Sequence, residues 1–145
     1  MTMEIGVGGA HKFVSKMWVG VGGANKIVPL AWVGVGGQWK LAFAALTASA
    51  TNVSGYAEGS GGPGVVVSDP TSVTVNNGSG NYSYAWSKVS GEDFSRGGPD
   101  HAPYWFATLN DGTHYANWKV VVTDLTYGVS AEATMTINLT WTNLN

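Results

Sequence analysis

Cysteine is absent from the 145 residues of this chain, which removes disulfides, thiolate metal sites and thiol nucleophiles together. Stability must therefore come from packing or from assembly. Charge is scarce as well: 11% of residues are Asp, Glu, Lys or Arg, against about 25% in an average soluble protein. The net charge of -2 leaves no basic surplus to neutralise phosphates, so no nucleic-acid partner is expected. No apolar run approaches the roughly 18 residues needed to cross a bilayer, so no membrane insertion is expected either. The opening Met1-Thr2-Met3-Glu4 places an acid where a signal peptide carries its basic region. Histidine is limited to His11, His101 and His114, in three separate segments, and no His-Glu-x-x-His or Gly-x-Ser-x-Gly spacing occurs. The expectation is a chain that is not an enzyme, with no cofactor and no metal. What is abundant is glycine: 21 residues, about twice the usual share of about 7%, a composition suited to turn-rich β-structure.

Self-similarity organises the first third. Ile5-Gly6-Val7-Gly8-Gly9, Val19-Gly20-Val21-Gly22-Gly23 and Val33-Gly34-Val35-Gly36-Gly37 align without a gap at a spacing of fourteen residues. A lysine stands three residues past each glycine pair, at Lys12, Lys26 and Lys40, and Trp18 and Trp32 introduce the second and third copies. Each unit reads as a hairpin: a short β-branched arm, a Gly-Gly turn free to take positive φ, and a second arm of alternating residues. Arms this short do not fold alone, and residues 1–43 hold no staple. The side chains of Trp18, Val19, Val21, Trp32, Val33, Val35 and Trp39 are therefore expected at an assembly interface, buried against other subunits or a neighbouring protein. No copy continues into the Gly-Lys-Ser/Thr of a phosphate-binding loop. The regular Trp and Lys placement also separates the segment from a flexible linker.

From about Ala44 the pattern changes to short alternating runs divided by glycine, asparagine and aspartate. Residues 72–75, 82–88, 104–109 and 115–123 read as strands, and 131–141 is the clearest. There Ala131, Ala133, Met135, Ile137, Leu139 and Trp141 alternate with polar residues, so one face is dry and the other wet. Several such strands in about 100 residues suit an immunoglobulin-like sandwich. The fold class is thus all-β, with a hairpin-repeat segment over 1–43 and a sandwich over 44–145. Gly59 to Gly64 reads as a mobile loop or a boundary between the first strand and the rest. Trp86, Trp118, Val120, Val122 and Ile137 are expected to close the core.

The run Gly80-Asn81-Tyr82-Ser83-Tyr84-Ala85-Trp86-Ser87-Lys88-Val89-Ser90-Gly91, with Trp118-Lys119-Val120-Val121-Val122-Thr123-Asp124 and Gly128 to Ala133, resembles the Ig-like or PKD-like domains of tailed-bacteriophage structural proteins. The Val-Gly-Val-Gly-Gly array resembles short repeats of phage tail and fibre-region proteins. Together the two cover nearly the whole chain. The resemblance implies a virion protein of the tail tip or fibre region, attached through its repeats to other virion proteins, expected as a homotrimer and released with the particle by lysis. A capsid decoration protein is the second reading. A bacterial adhesin or carbohydrate-binding module is the third.

One long polar connection, residues 90–101, holds Glu92, Asp93, Asp100 and His101. A cation site could be drawn from these groups, but turn-forming acids in a solvated loop account for the same residues. Tyr104, Trp105 and Phe106 follow, and neighbours on a strand point to opposite faces, so the three cannot share one core. Tyr104 and Trp105, with Asp100 and His101, are accordingly the candidate recognition surface for a host-surface glycan or receptor, although the assembly argument favours a subunit contact or a partly covered sheet face for the same residues. The Asn-x-Ser/Thr sites at Asn52, Asn77, Asn81 and Asn138 read as ordinary turn and strand residues.

Overall fold

The computed structural model describes residues 4–7, 10–13, 17–21, 24–28, 30–35 and 37–144. Valine and aromatic residues favour extended backbone, and glycine interrupts it. Accordingly β1 (Glu4–Val7) pairs antiparallel with β2 (Ala10–Phe13), and β3 (Met17–Val21) with β4 (Ala24–Val28). β5 (Leu30–Val35) pairs the same way with β6 (Gln38–Ala44), with one irregularity between Ala31 and Trp32. The pairs close at equivalent points of the repeat, Val7↔Ala10, Val21↔Ala24 and Val35↔Gln38. Each is a separate two-stranded sheet among the described residues. The side chains expected at an assembly interface, those of Trp18, Val19, Val21, Trp32, Val33, Val35 and Trp39, lie outside the described residues.

By its internal contacts the chain divides into two compact units, one of Met1–Thr47, Val75–Ser83 and Val122–Ala131, the other of Ala48–Thr74, Tyr84–Val121 and Glu132–Asn145. Nine further strands follow the hairpins: β7 (Thr47–Ala50), β8 (Val53–Gly59), β9 (Gly64–Val67), β10 (Val73–Asn76), β11 (Tyr82–Gly91), β12 (Ser95–Gly97), β13 (Tyr104–Leu109), β14 (Gly112–Asp124) and β15 (Val129–Asn143). They form a four-stranded sheet in the order β11-β14-β15-β8, a three-stranded sheet β12-β13-β9 and a small pair β10-β7. β8 joins β15 in parallel, from Ile137↔Val53 to Asn143↔Gly59, whereas β13 is antiparallel to both its neighbours. No helix occurs among the described residues, and none is long and apolar enough to cross a membrane.

The second unit holds the main hydrophobic core, between the four- and three-stranded sheets. Met135, Ile137, Leu139 and Trp141 enter it from β15 at every second residue, Ala116 from β14 and Val53 from β8. Val66, Trp105, Leu109 and Phe94 meet them from the other side. At its centre the fully buried Trp105 makes edge-to-face contacts with Trp86, 5.3 Å between ring centroids, and with Trp118, at 5.7 Å. Trp86 and Trp118 are half-buried and pack against this cluster, while Val120 and Ile137 are fully buried. In the first unit Val122 is likewise fully buried.

One expectation is corrected. Trp105 cannot belong to a recognition surface, because it has no exposed area. Alternation along β13 turns it inward and Tyr104 and Phe106 outward, and two tryptophans of the facing sheet enclose it. The Gly59–Gly64 stretch connects β8 to β9 within one unit. Its glycines make room for the Trp141 indole: a Cβ on Gly64 would lie 2.1 Å from that ring, and one on Gly59 2.7 Å. The Trp141 Nε1–H donates to the Gly62 carbonyl at 3.1 Å.

Candidate functional site

The candidate surface begins where β11 ends. Gly91 takes φ +89, a left-handed conformation, at a point where a Cβ would stand 2.4 Å from the Tyr115 carbonyl oxygen. Glycine is therefore required both by conformation and by space. The next residue, Glu92, donates its N–H to that carbonyl at 2.9 Å. The connection is then anchored from inside by Phe94, which is buried in the core.

Its polar groups are largely spent on holding the loop. Lys88 pairs closely with Asp93 and also donates to the Gly91 carbonyl. Arg96 pairs with the Asp100 carboxylate at 2.7 Å, and the Asp100 carbonyl accepts the Trp86 Nε1–H at 2.8 Å. Asp100 thus ties the loop to a core-packed tryptophan. His101 is exposed and makes no hydrogen bond among the described residues. His114, on β14, meets the start of this connection, its Nδ1 3.5 Å from the Glu92 carboxylate. Among the described residues no three His, Asp or Glu side chains come close enough together to hold a metal ion.

Tyr104 lies over glycine. Its ring covers Gly97 and Gly98, where added Cβ atoms would fall 2.6 and 3.1 Å from ring carbons. Beside it Phe106 stands 6.1 Å away between centroids, on the same face of β13. The register continues that face onto β9, with Phe106 opposite Val67 and Thr108 opposite Val65. Both valines are more than half exposed, at 51% and 59%. The outer face of the three-stranded sheet is therefore an apolar strip of Tyr104, Phe106, Val67 and Val65, whereas Arg96, registered with Trp105, sends its side chain to its Asp100 partner from the other face. Of the expected recognition residues the structure places Tyr104 on this strip, turns Trp105 into the core and ties Asp100 to Arg96 and Trp86. Val65 and Val67 were not legible as surface residues, because Val65-Val66-Val67 has no polar alternation to mark which valine turns inward. Ser68 settles it: its backbone N–H and hydroxyl oxygen bracket Trp105, at 2.8 and 3.0 Å, and so fix the pairing that buries Val66.

Asp124 is a fully buried carboxylate, and its bonds are those of a turn anchor. Burial alone would raise its pKa, but donors outweigh that effect: the Ser79 N–H at 2.6 Å, the Ser79 hydroxyl at 2.8 Å, and the Tyr127 and Thr126 N–H groups, each at 3.0 Å. The net result is a carboxyl held below the usual value. With Gly128 at φ +66 donating to the Asp124 carbonyl, the group fixes the β14–β15 turn.

No protein-family model and no curated protein matches the sequence. Among solved structures the chain is similar to the PKD domain of human KIAA0319, at 14% identity, covering 69% of this chain and 85% of that one, with a TM-score of 0.41. It is also similar to the M1 domain of titin, at 17% identity over 67% of this chain and 94% of that one, with a TM-score of 0.28. The titin kinase with its flanking domains matches at 14% identity over 71% of this chain and 18% of that one, with a TM-score of 0.29.

Proposed function

We propose that the chain is a non-enzymatic structural protein of a tailed-bacteriophage virion, in the tail-tip or fibre region. Residues 1–43 would attach it, as a homotrimer, to other virion proteins, leaving the residues that follow to face the host surface as an Ig-like or PKD-like sandwich. The observation that carries this reading is the hairpin array. Three copies of one fourteen-residue unit form ribbons in which each strand hydrogen-bonds only to its hairpin partner among the described residues. A two-stranded ribbon of arms four to seven residues long leaves two edges unpaired among the described residues, and such a ribbon is marginal on its own. Equivalent ribbons at a regular spacing suit equivalent surfaces on a partner. The motif resemblance supplies the kind of particle, and the sparsely charged composition suits a surface that persists through contact rather than turnover.

Light scattering on the full chain tests the assembly half. The expected mass is near three times 15.1 kDa, and a monodisperse monomer at micromolar concentration would refute it. Antibody labelling of intact particles tests the location: label at the tail tip or fibres is expected, and label spread over the head would replace this reading with that of a decoration protein.

A further inference from the structure

We propose that the outer face of the four-stranded sheet carries a groove for a neutral oligosaccharide, built from Asn52, Ser90, Asn117, Thr134 and Thr136, with the Tyr115 ring beside it. This concerns the sandwich alone and does not depend on the attachment reading. The face is opposite to the apolar strip of Tyr104 and Phe106, and none of its residues belongs to the surface considered so far.

A concavity of about 330 Å³ opens there, lined by those five polar residues together with Val89 and Met135. It lies at the small end of ligand sites, which run from about 300 to 1,000 Å³. Its polar groups are fixed by one another across three strands. The Asn117 Nδ2–H donates to the Ser90 hydroxyl at 3.0 Å, and the Thr136 hydroxyl donates to Asn117 Oδ1 at 2.9 Å. The Thr136 N–H donates to Asn52 Oδ1 at 2.8 Å. Both amides are thus oriented before any ligand arrives, which lowers the ordering cost of binding.

What these bonds leave over is the chemistry of the site. Among the described residues Asn117 keeps a second N–H, Asn52 keeps both N–H groups, Ser90 keeps its hydroxyl proton, and the Thr134 hydroxyl makes no hydrogen bond. A sugar hydroxyl donates and accepts at once, and a fixed array of amides and hydroxyls answers both demands. Tyr115 shares the outer face of β14 with Asn117, two residues away, and is 60% exposed. Its ring offers a flat apolar surface for the C–H face of a sugar, with a polar rim.

The ligand should be uncharged. No lining residue carries a charge, and the nearest cations along these strands are already neutralised, Lys119 by Glu132 at 3.2 Å and Lys88 by Asp93. A carboxylate or sulfate would find no counter-ion, whereas a neutral hydroxyl needs none.

The test is calorimetric titration of the full-length protein with neutral trisaccharides of glucose, galactose and N-acetylglucosamine, with a sialylated trisaccharide as the charged comparison. At least one neutral trisaccharide is expected to bind saturably, and Asn117→Ala and Tyr115→Ala are each expected to weaken it by about tenfold or more. Thr134→Val removes a hydroxyl that no described residue bonds, so it weakens binding without altering the melting curve and serves if Asn117→Ala fails to fold. Leu125→Ser, in the β14–β15 turn, leaves binding unchanged. No binding by any neutral trisaccharide at about 10 mM, a concentration that would reveal even a millimolar Kd, overturns the proposal. So does binding that survives both Tyr115→Ala and Thr134→Val, or binding of the sialylated sugar alone.

Discussion

Replacing Trp105 by alanine distinguishes a core tryptophan from a recognition tryptophan. The side chain has no exposed area and touches Trp86 and Trp118 edge-on. Truncating a buried Trp costs about 3–5 kcal/mol in lost transfer energy and residual cavity. The two aromatic contacts, each worth about 0.5–1.5 kcal/mol beyond area, place the expectation in the upper half of that range. Against a total stability of about 5–15 kcal/mol this is a large fraction. At about 4–8 °C per kcal/mol for a unit of under about 100 residues, a loss of about 4–5 kcal/mol should lower the melting temperature by roughly 16–40 °C. Trp86→Ala should cost less, about 2–3 kcal/mol, because that ring is only half-buried. The assay is urea denaturation followed by both tryptophan fluorescence and far-ultraviolet circular dichroism, since two compact units need not unfold together. A Trp105→Ala loss under about 1.5 kcal/mol, or one smaller than that of Trp86→Ala, would mean that the ring is not enclosed.

Three further substitutions probe other parts of the fold. The folded pKa of Asp124 lies below its unfolded value of 3.8, so its contribution is complete above that value and is lost as pH falls through the folded pKa. Asp124→Asn should therefore flatten the acid limb of the stability curve, and at neutral pH it should cost about 1–3 kcal/mol, because an amide N–H would face the Ser79 N–H; denaturation midpoints from pH 2 to 7 check both. Gly64→Ala puts a methyl group into the Trp141 indole and should destabilise by about 1–3 kcal/mol, with Trp141 fluorescence shifting as its ring is displaced. Val67→Lys should leave stability within about 0.5 kcal/mol, since the side chain is 51% exposed; a loss above about 1.5 kcal/mol in a urea melt would place that valine inside.

What could be read from the sequence was parity, and what could not was sign. In β15 the apolar residues Met135, Ile137, Leu139 and Trp141 alternate with threonine and asparagine, so composition itself says which face is dry, and those four are buried. In β13 the run Tyr104-Trp105-Phe106 is aromatic throughout. Alternation there says only that Trp105 opposes its neighbours. Which of the two faces the core is decided by residues far away in sequence, Trp86 and Trp118 on the opposite sheet and Val66 on β9. Space was illegible for a related reason. Gly55 and Gly64 look like loop or linker glycines, yet they are required because the Val67 backbone and the Trp141 ring lie against them. The polar groove was hidden because asparagine, serine and threonine on the wet side of a strand look alike whether or not they converge.

The sign of β13 can itself be tested by an exchange that leaves composition unchanged. Trp105→Phe shrinks a side chain sealed between two indoles and should cost about 1–3 kcal/mol. Phe106→Trp enlarges a half-buried ring on the outer face, where growth meets solvent, and should fall within about 0.5 kcal/mol of neutral. The double exchange should therefore cost nearly what Trp105→Phe costs alone. The residues are adjacent but point to opposite sides of the strand, so their shared backbone is the main route of coupling, and it is unchanged by either substitution. If the assignment were reversed, with Phe106 enclosed, the large penalty would attach to Phe106→Trp through overpacking, and Trp105→Phe would be almost silent. The same four urea melts separate the two orders. A penalty carried by Phe106→Trp would overturn both the core described for this sandwich and the apolar strip on its outer face.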